Sequence, residues 1–148
     1  WNVNEELLYH CAMKNTPRLY QAEIKPMNQV VSDMILKESV EENVDEMIAH
    51  VNRMNEEFPM YVLTNSYRSY GASCILYEGL LMGFASHIEA DLYIVPSSVH
   101  EVILIPVDGD ITKDGLDEMV RSVNSTELSK EEILSDSAYL FTRENGFE

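Results

Sequence analysis

The segment Ser97–Glu101 gathers polar, reactive side chains between two strongly apolar stretches. Ser98 and His100 are two residues apart, so on extended backbone their side chains point the same way and Glu101 faces the other side. A serine beside a histidine is the minimum for an activated nucleophile, and a carboxylate is needed to orient the imidazole. Ser98, His100 and Glu101 are therefore the candidate catalytic residues of a hydrolase.

A plainer interpretation of the same segment is a hairpin turn, and we favour it. The sequence contains no Gly-x-Ser-x-Gly motif and no glycine-rich oxyanion loop. In a turn, the serine hydroxyls satisfy backbone amides and His100 makes a turn hydrogen bond.

A second polar cluster, which ends in Arg68 and Tyr70, follows the β-rich run 60–65. Asn65 and Arg68 are its candidate ligand-binding residues, because the N-terminus of the following helix attracts anions and a guanidinium would add to that attraction. The alternative, which we again favour, is a capping and turn segment.

Neither a metal nor a cofactor is predicted. Cys11 and Cys74 each lack a second cysteine or histidine at ligand spacing, and both are expected to be buried thiols. The acidic residues at 41–46 lack the spacing of a calcium loop. The methionines at helical spacing predict core filling, with an adaptable binding groove as the alternative. They are Met27, Met34, Met47, Met54, Met82 and Met119.

The charge and the hydropathy exclude two classes of partner. The net charge of −16 would repel polyanions, and the arginines lie far apart, so nucleic-acid binding is not expected. No run of 18 apolar residues is present, so membrane insertion is not expected. The acidity is typical of a protein kept in solution in a reducing cytoplasm.

The patterns predict one domain over 1–148 of the α+β class, with a mainly antiparallel sheet of about five strands and helices packed on its faces. The short link 96–100 requires the flanking strands to pair antiparallel. Helices are predicted over 2–15, 27–38, 40–57, 72–88, 113–124 and 129–134. Strands are predicted over 18–25, 60–65, 91–95, 101–107 and 139–143.

Two motifs carry a resemblance to a known family. They are Tyr-Val-Leu-Thr-Asn at 61–65 and Asp-Leu-Tyr-Ile-Val-Pro-Ser-Ser-Val-His-Glu-Val at 91–102. With them, the sequence resembles a bacterial family of unknown function met mostly in gut Firmicutes. The resemblance implies a cytosolic domain that forms the C-terminal part of a longer protein, in keeping with a start at Trp1. It implies no activity, cofactor or catalytic residue.

Two functions follow as hypotheses. The first is a non-enzymatic interaction or regulatory domain with a protein partner or a homodimer contact, favoured because no catalytic constellation is complete. It predicts an exposed apolar patch of several hundred Å². The alternative is the hydrolase that uses Ser98 and His100.

Overall fold

The structure, a computed structural model, describes residues 3–38, 43–126 and 128–148. Over these residues the chain forms a six-stranded antiparallel sheet with helices on its faces, which confirms the α+β class with one strand more than expected. The helices are α1 (Glu5–Leu19), α2 (Met27–Glu38), α3 (Val44–Glu57), α4 (Leu80–His87) and α5 (Lys113–Thr126), with a 3-10 helix at Gly71–Leu76. The strands are β1 (Ala22–Pro26), β2 (Tyr61–Asn65), β3 (Leu92–Ser98), β4 (Glu101–Pro106), β5 (Tyr139–Thr142) and β6 (Gly146–Phe147), in the spatial order β1-β2-β4-β3-β5-β6.

The two central strands, β3 and β4, pair antiparallel as the sequence predicts, with Ile94 opposite Leu104. Both have apolar side chains on both faces, and successive side chains alternate between the faces. Ile94 and Leu104 belong to one buried cluster, whereas Val95 and Ile105 belong to another. The sheet therefore has a core on each side, as a strand with two apolar faces requires.

The first core lies under the 3-10 helix and α4, where Cys74 and Ala85 are buried. The single helix predicted over 72–88 is wrong. Tyr77 adopts an extended conformation and Gly79 a φ of +72°, and together they separate the two helices. Gly79 thus supplies a left-handed backbone, and a Cβ atom at this position would meet no atom within 4 Å.

The second core lies under α5, which buries Leu116 and Val120. The rest of this face carries α2 and α3, which pack on each other, and α2 also contacts β1 and β2. None of the residues of α3 is buried, although Val44, Met47, Ile48, Val51 and Met54 recur at helical spacing.

Helix α1 begins later and ends later than predicted. Asn4 caps it by accepting a hydrogen bond from the Leu7 N–H over 2.9 Å, and Pro17 lies inside the helix instead of after it. Because α1 continues to Leu19, the predicted strand 18–25 shortens to β1. Helix α1 buries none of its residues. The predicted caps at Asn2 and at residues 39–42 lie outside the described residues.

In the C-terminal part, one predicted helix is wrong and one strand was not predicted. Residues 129–134 form no helix and contain a turn, in which the Glu132 N–H donates to the Ser129 carbonyl oxygen over 3.0 Å. The Glu132 carbonyl oxygen accepts from the Val99 N–H over 3.0 Å and so ties this turn to the connection between β3 and β4. The Glu132 carboxylate accepts from the Ser129 N–H over 3.3 Å, as in a capping box, and from the Ser129 hydroxyl over 2.7 Å. After β5 the chain turns and pairs antiparallel with itself, with Thr142 opposite Gly146, which adds β6 as the sixth strand.

Candidate functional site

The two polar clusters predicted from the sequence lie side by side. Strands β2 and β4 pair antiparallel with Leu63 opposite Val102, so the end of β2 lies beside the start of β4. The Thr64 hydroxyl donates to the His100 carbonyl oxygen over 2.8 Å. Antiparallel pairing of distant segments thus joins the cluster at Asn65 to the connection between β3 and β4.

The hydrogen bonds of Ser98 and His100 describe a turn. Ser98 Oγ accepts from the backbone N–H of His100 over 3.0 Å. The His100 Nδ1 accepts from the Tyr70 N–H over 3.1 Å, and the two rings lie 5.4 Å apart. With Nδ1 occupied as an acceptor, the neutral imidazole carries its proton on Nε2. Neither bond joins the hydroxyl to the imidazole, which is the bond that an activated serine needs.

Asn65 is a structural residue of the loop that follows β2. Its side chain is buried, and its Nδ2 donates to the Ser69 carbonyl oxygen over 2.7 Å. Its Oδ1 accepts from the N–H groups of Tyr67, over 3.0 Å, and of Ser69, over 3.3 Å. These bonds hold residues 65–70 in a tight loop in which Arg68 and Tyr70 have positive φ values of 52° and 50°.

Gly71 allows this loop to pack against the connection between β3 and β4. A Cβ atom at Gly71 would lie 2.6 Å from the His100 carbonyl oxygen and 2.7 Å from the Asn65 nitrogen, and it would overlap Thr64 Oγ1. Only glycine fits so close to two backbone segments. The loop and the connection therefore form one unit.

Arg68 and Glu101 both line a small pocket of about 160 Å³, which we call the polar pocket because of its four charged residues. Glu23 and Lys25 of β1 complete its charged lining, and the Lys25 Nζ lies 3.2 Å from the Glu23 Oε2. Two cations and two carboxylates balance one another, so the pocket has no net attraction for an anion. Its remaining wall is apolar and comes largely from α2.

An apolar groove of about 470 Å³ lies on the second face of the sheet. Helices α2 and α3 line one side, α5 lines the other, and Ile105 of β4 lies between them. Its apolar lining is Met27, Val31, Val51, Met54, Phe58, Met60, Ile105, Ile111, Leu116 and Met119. We call this surface the apolar groove. Met27 and Val31 line the polar pocket as well, so the two openings are neighbours on either side of α2.

The methionines were predicted to fill the core, and that prediction is wrong for most of them. Met54 and Met119 in the apolar groove are 53% and 46% exposed, and Met34, Met47 and Met82 are exposed elsewhere. Of the six methionines, Met27, Met54 and Met119 line the apolar groove. The methionine spacing was thus the available sequence signal for the groove.

The two cysteines differ in environment. Cys11 is exposed, contrary to the prediction, and Cys74 is buried as predicted. Burial raises the pKa of the Cys74 thiol, which donates to the Thr64 carbonyl oxygen over 3.4 Å. Burial and the hydrogen bond with Cys74 raise the pKa of Tyr77 to about 12. Cys74 is therefore a packing thiol and not a nucleophile.

Among the described residues, no group of three or more histidine, cysteine, aspartate or glutamate side chains is placed to hold a metal ion. None of the helices in the described part of the chain combines the length and apolar character needed to cross a membrane.

A protein-family model described as a family of unknown function, DUF5688, matches residues 1–143. The chain belongs to this family. The DUF5688 match covers the sheet through β5, the groove and the polar pocket. No curated protein and no solved structure matches the chain.

Proposed function

We propose that this DUF5688 chain is a non-enzymatic interaction or regulatory domain that holds a protein partner in the apolar groove. The groove itself is the observation that carries the proposal: ten apolar side chains line an open surface beside the second core. Met54, Phe58 and Met119 are each about half exposed there. The family resemblance and the free thiols support a place in the cytoplasm of a bacterium of the gut Firmicutes.

Apolar side chains in an open groove favour a partner for a simple physical reason. Removing apolar surface from water stabilises a complex by about 25 cal/mol per Å². Methionine side chains have flexible, polarizable ends that fit differently shaped partners. A contiguous exposed apolar patch on a folded protein is therefore typical of a binding surface.

The hydrolase alternative has less support. Ser98 Oγ is held by the backbone of His100, and the imidazole Nδ1 is held by the backbone of Tyr70. A homodimer through the groove also has less support, because each copy carries a charge of −16.

Binding of the uncharged apolar dye Nile red tests whether the groove accepts apolar groups. We expect the dye to bind the wild-type chain and to bind Met54→Glu at least about tenfold more weakly. Leu8→Glu on α1 is the matched control, since Leu8 is 52% exposed and Met54 is 53% exposed. Loss of binding in Leu8→Glu with full binding in Met54→Glu would move the apolar site to α1 and overturn the proposal.

A further inference from the structure

We infer that the occupant of the apolar groove is a cationic amphipathic helix of a partner protein. This inference rests on the proposed function and adds the chemistry of the partner. Three observations carry it: the charge beside the groove, two amide oxygens in its wall, and the shape of the opening.

Four acidic residues lie one or two positions before groove-lining side chains in the sequence. Glu56 and Glu57 come before Phe58, Asp110 before Ile111 and Glu118 before Met119. All four carboxylate side chains are exposed. A cation, Arg53, precedes Met54, but it is outnumbered, and the whole chain has a charge of −16. An apolar surface with an acidic border attracts cations and orients them on the way in.

The wall formed by α2 and α3 contains two acceptors that lack donors. The Asn28 side chain uses its Nδ2 group, which donates to Asn52 Oδ1 over 2.8 Å. Asn28 Oδ1 and Asn55 Oδ1 are buried and accept no hydrogen bond from any residue in the described ranges. Both asparagines line the groove. After a side-chain rotation, each oxygen would accept from an ammonium or guanidinium group, which carry only donors.

The opening has the form of a helix site. It is bordered by helices on both sides, and one helix docks between others by placing an apolar stripe into such a groove. Helix α1 of a second copy also carries exposed leucines, but it begins with Glu5 and Glu6 and belongs to an equally acidic chain. The charge therefore selects a basic helix from another protein.

Two synthetic helices test the inference. Both have about 14 residues and the same leucine stripe, and the polar positions are lysine in one and glutamate in the other. Fluorescence anisotropy of the labelled peptides gives the dissociation constants. We expect the lysine helix to bind at least about tenfold more tightly, and its affinity to fall when NaCl is raised from about 50 mM to about 500 mM.

Charge-reversal variants show which carboxylates attract the lysine helix. The double variant Glu57→Lys with Glu118→Lys should weaken binding of the lysine helix several-fold. Glu131→Lys with Glu144→Lys changes the net charge equally at exposed positions away from the groove, and it should leave binding near the wild-type value. A similar loss of lysine-helix binding in both double variants would show that the net charge of the chain attracts the helix. It would overturn the inference that the helix binds at the apolar groove.

The remaining outcomes separate the two proposals. Equal binding of both peptides, lost in Met54→Glu, would overturn the preference for cations and leave the groove as an interaction site. If neither peptide binds while Nile red binding still depends on Met54, the helical occupant is overturned and a small apolar ligand replaces it. If neither peptide binds and Nile red binding does not depend on Met54, both proposals are overturned.

Discussion

The backbone N–H of His100 donates to Ser98 Oγ over 3.0 Å, so the serine hydroxyl contacts the main chain of the histidine and not its ring. The ring in turn accepts from the Tyr70 N–H. Ser98 and His100 are the residue types of a nucleophile and a base, but here their side chains form the hydrogen bonds of a turn. This geometry favours the turn interpretation and leads to the first prediction.

We expect Ser98 to be unreactive toward a fluorophosphonate probe, because its hydroxyl has no base within hydrogen-bond reach in the described part of the chain. Intact-protein mass spectrometry of the wild type and of Ser98→Ala should show the same absence of label. Stoichiometric labelling that disappears in Ser98→Ala would instead identify an activated serine.

Gly71→Ala should destabilise the chain by about 1–3 kcal/mol, because the added methyl group overlaps the backbone of two packed segments. Gly83→Ala in α4 is the control, since a Cβ atom at this position would meet no atom within 4 Å. The substitution also replaces a glycine inside a helix by a better helix former. It should stabilise the chain by up to about 1 kcal/mol. Urea denaturation measures both changes, and equal effects would contradict the packing assigned to Gly71.

Asn65→Ala should cost about 1–3 kcal/mol in the free energy of unfolding, because it leaves the loop N–H groups of Tyr67 and Ser69 without their acceptor. Asn15→Ala, at an exposed position of α1, should change stability by less than about 0.5 kcal/mol. If Asn65→Ala unfolds at the wild-type urea concentration, the loop does not depend on this side chain.

At acid pH, the protonation of Asp117 should lower the stability of the folded chain. The Lys113 side chain and the Ala138 N–H lower the pKa of Asp117 from its ordinary 3.8. Because the folded pKa lies below the unfolded one, Asp117 adds stability above the unfolded pKa and loses it as the pH falls through the folded pKa. We therefore expect Asp117→Asn to lower the melting temperature at neutral pH and to flatten its decline below about pH 4.

Melting curves from neutral pH down to about pH 2 test this expectation. Asp114→Asn on the same helix is the control, since Asp114 accepts no hydrogen bond from a described residue, and its acid decline should match that of the wild type. Parallel curves for Asp117→Asn and wild type would rule out a contribution from Asp117.

The two thiols should react at very different rates with Ellman's reagent. Cys11 is exposed and should react quickly, whereas burial and a raised pKa should protect Cys74 in the folded chain. One fast thiol is expected under native conditions and two in urea. Cys11→Ser should remove the fast phase, and a fast phase that persists in this variant would show that the 3-10 helix opens readily.

The sheet could be predicted from the sequence because its signals are local. The consecutive apolar residues of β3 and β4 and the short link between them require an antiparallel pair. The break at Gly79 could not be predicted, because a left-handed glycine inside an apolar run looks like an ordinary helical residue. The pattern at 129–134 predicts a helix, but six residues are too few for a helix to be stable by itself, and the chain forms a turn there.

The apolar stripes of α3 and α5 show the limit of periodicity. The stripe of α5 correctly marks Leu116 and Val120 as buried, but Met119 on the same face is exposed to the groove. Periodicity shows that a helix face is apolar, and it does not tell whether the chain itself covers that face. That Arg68 and Glu101 line the same pocket also depends on the register between β2 and β4. The sequence of neither strand determines that register alone.

The outer strand β1 makes one edge of the sheet a poor place for a second copy to pair. It has five residues, carries Glu23 and Lys25 and ends in Pro26, which has no N–H to donate. This edge therefore lacks the long, uncharged row of backbone groups on which the strand of another chain could add to the sheet.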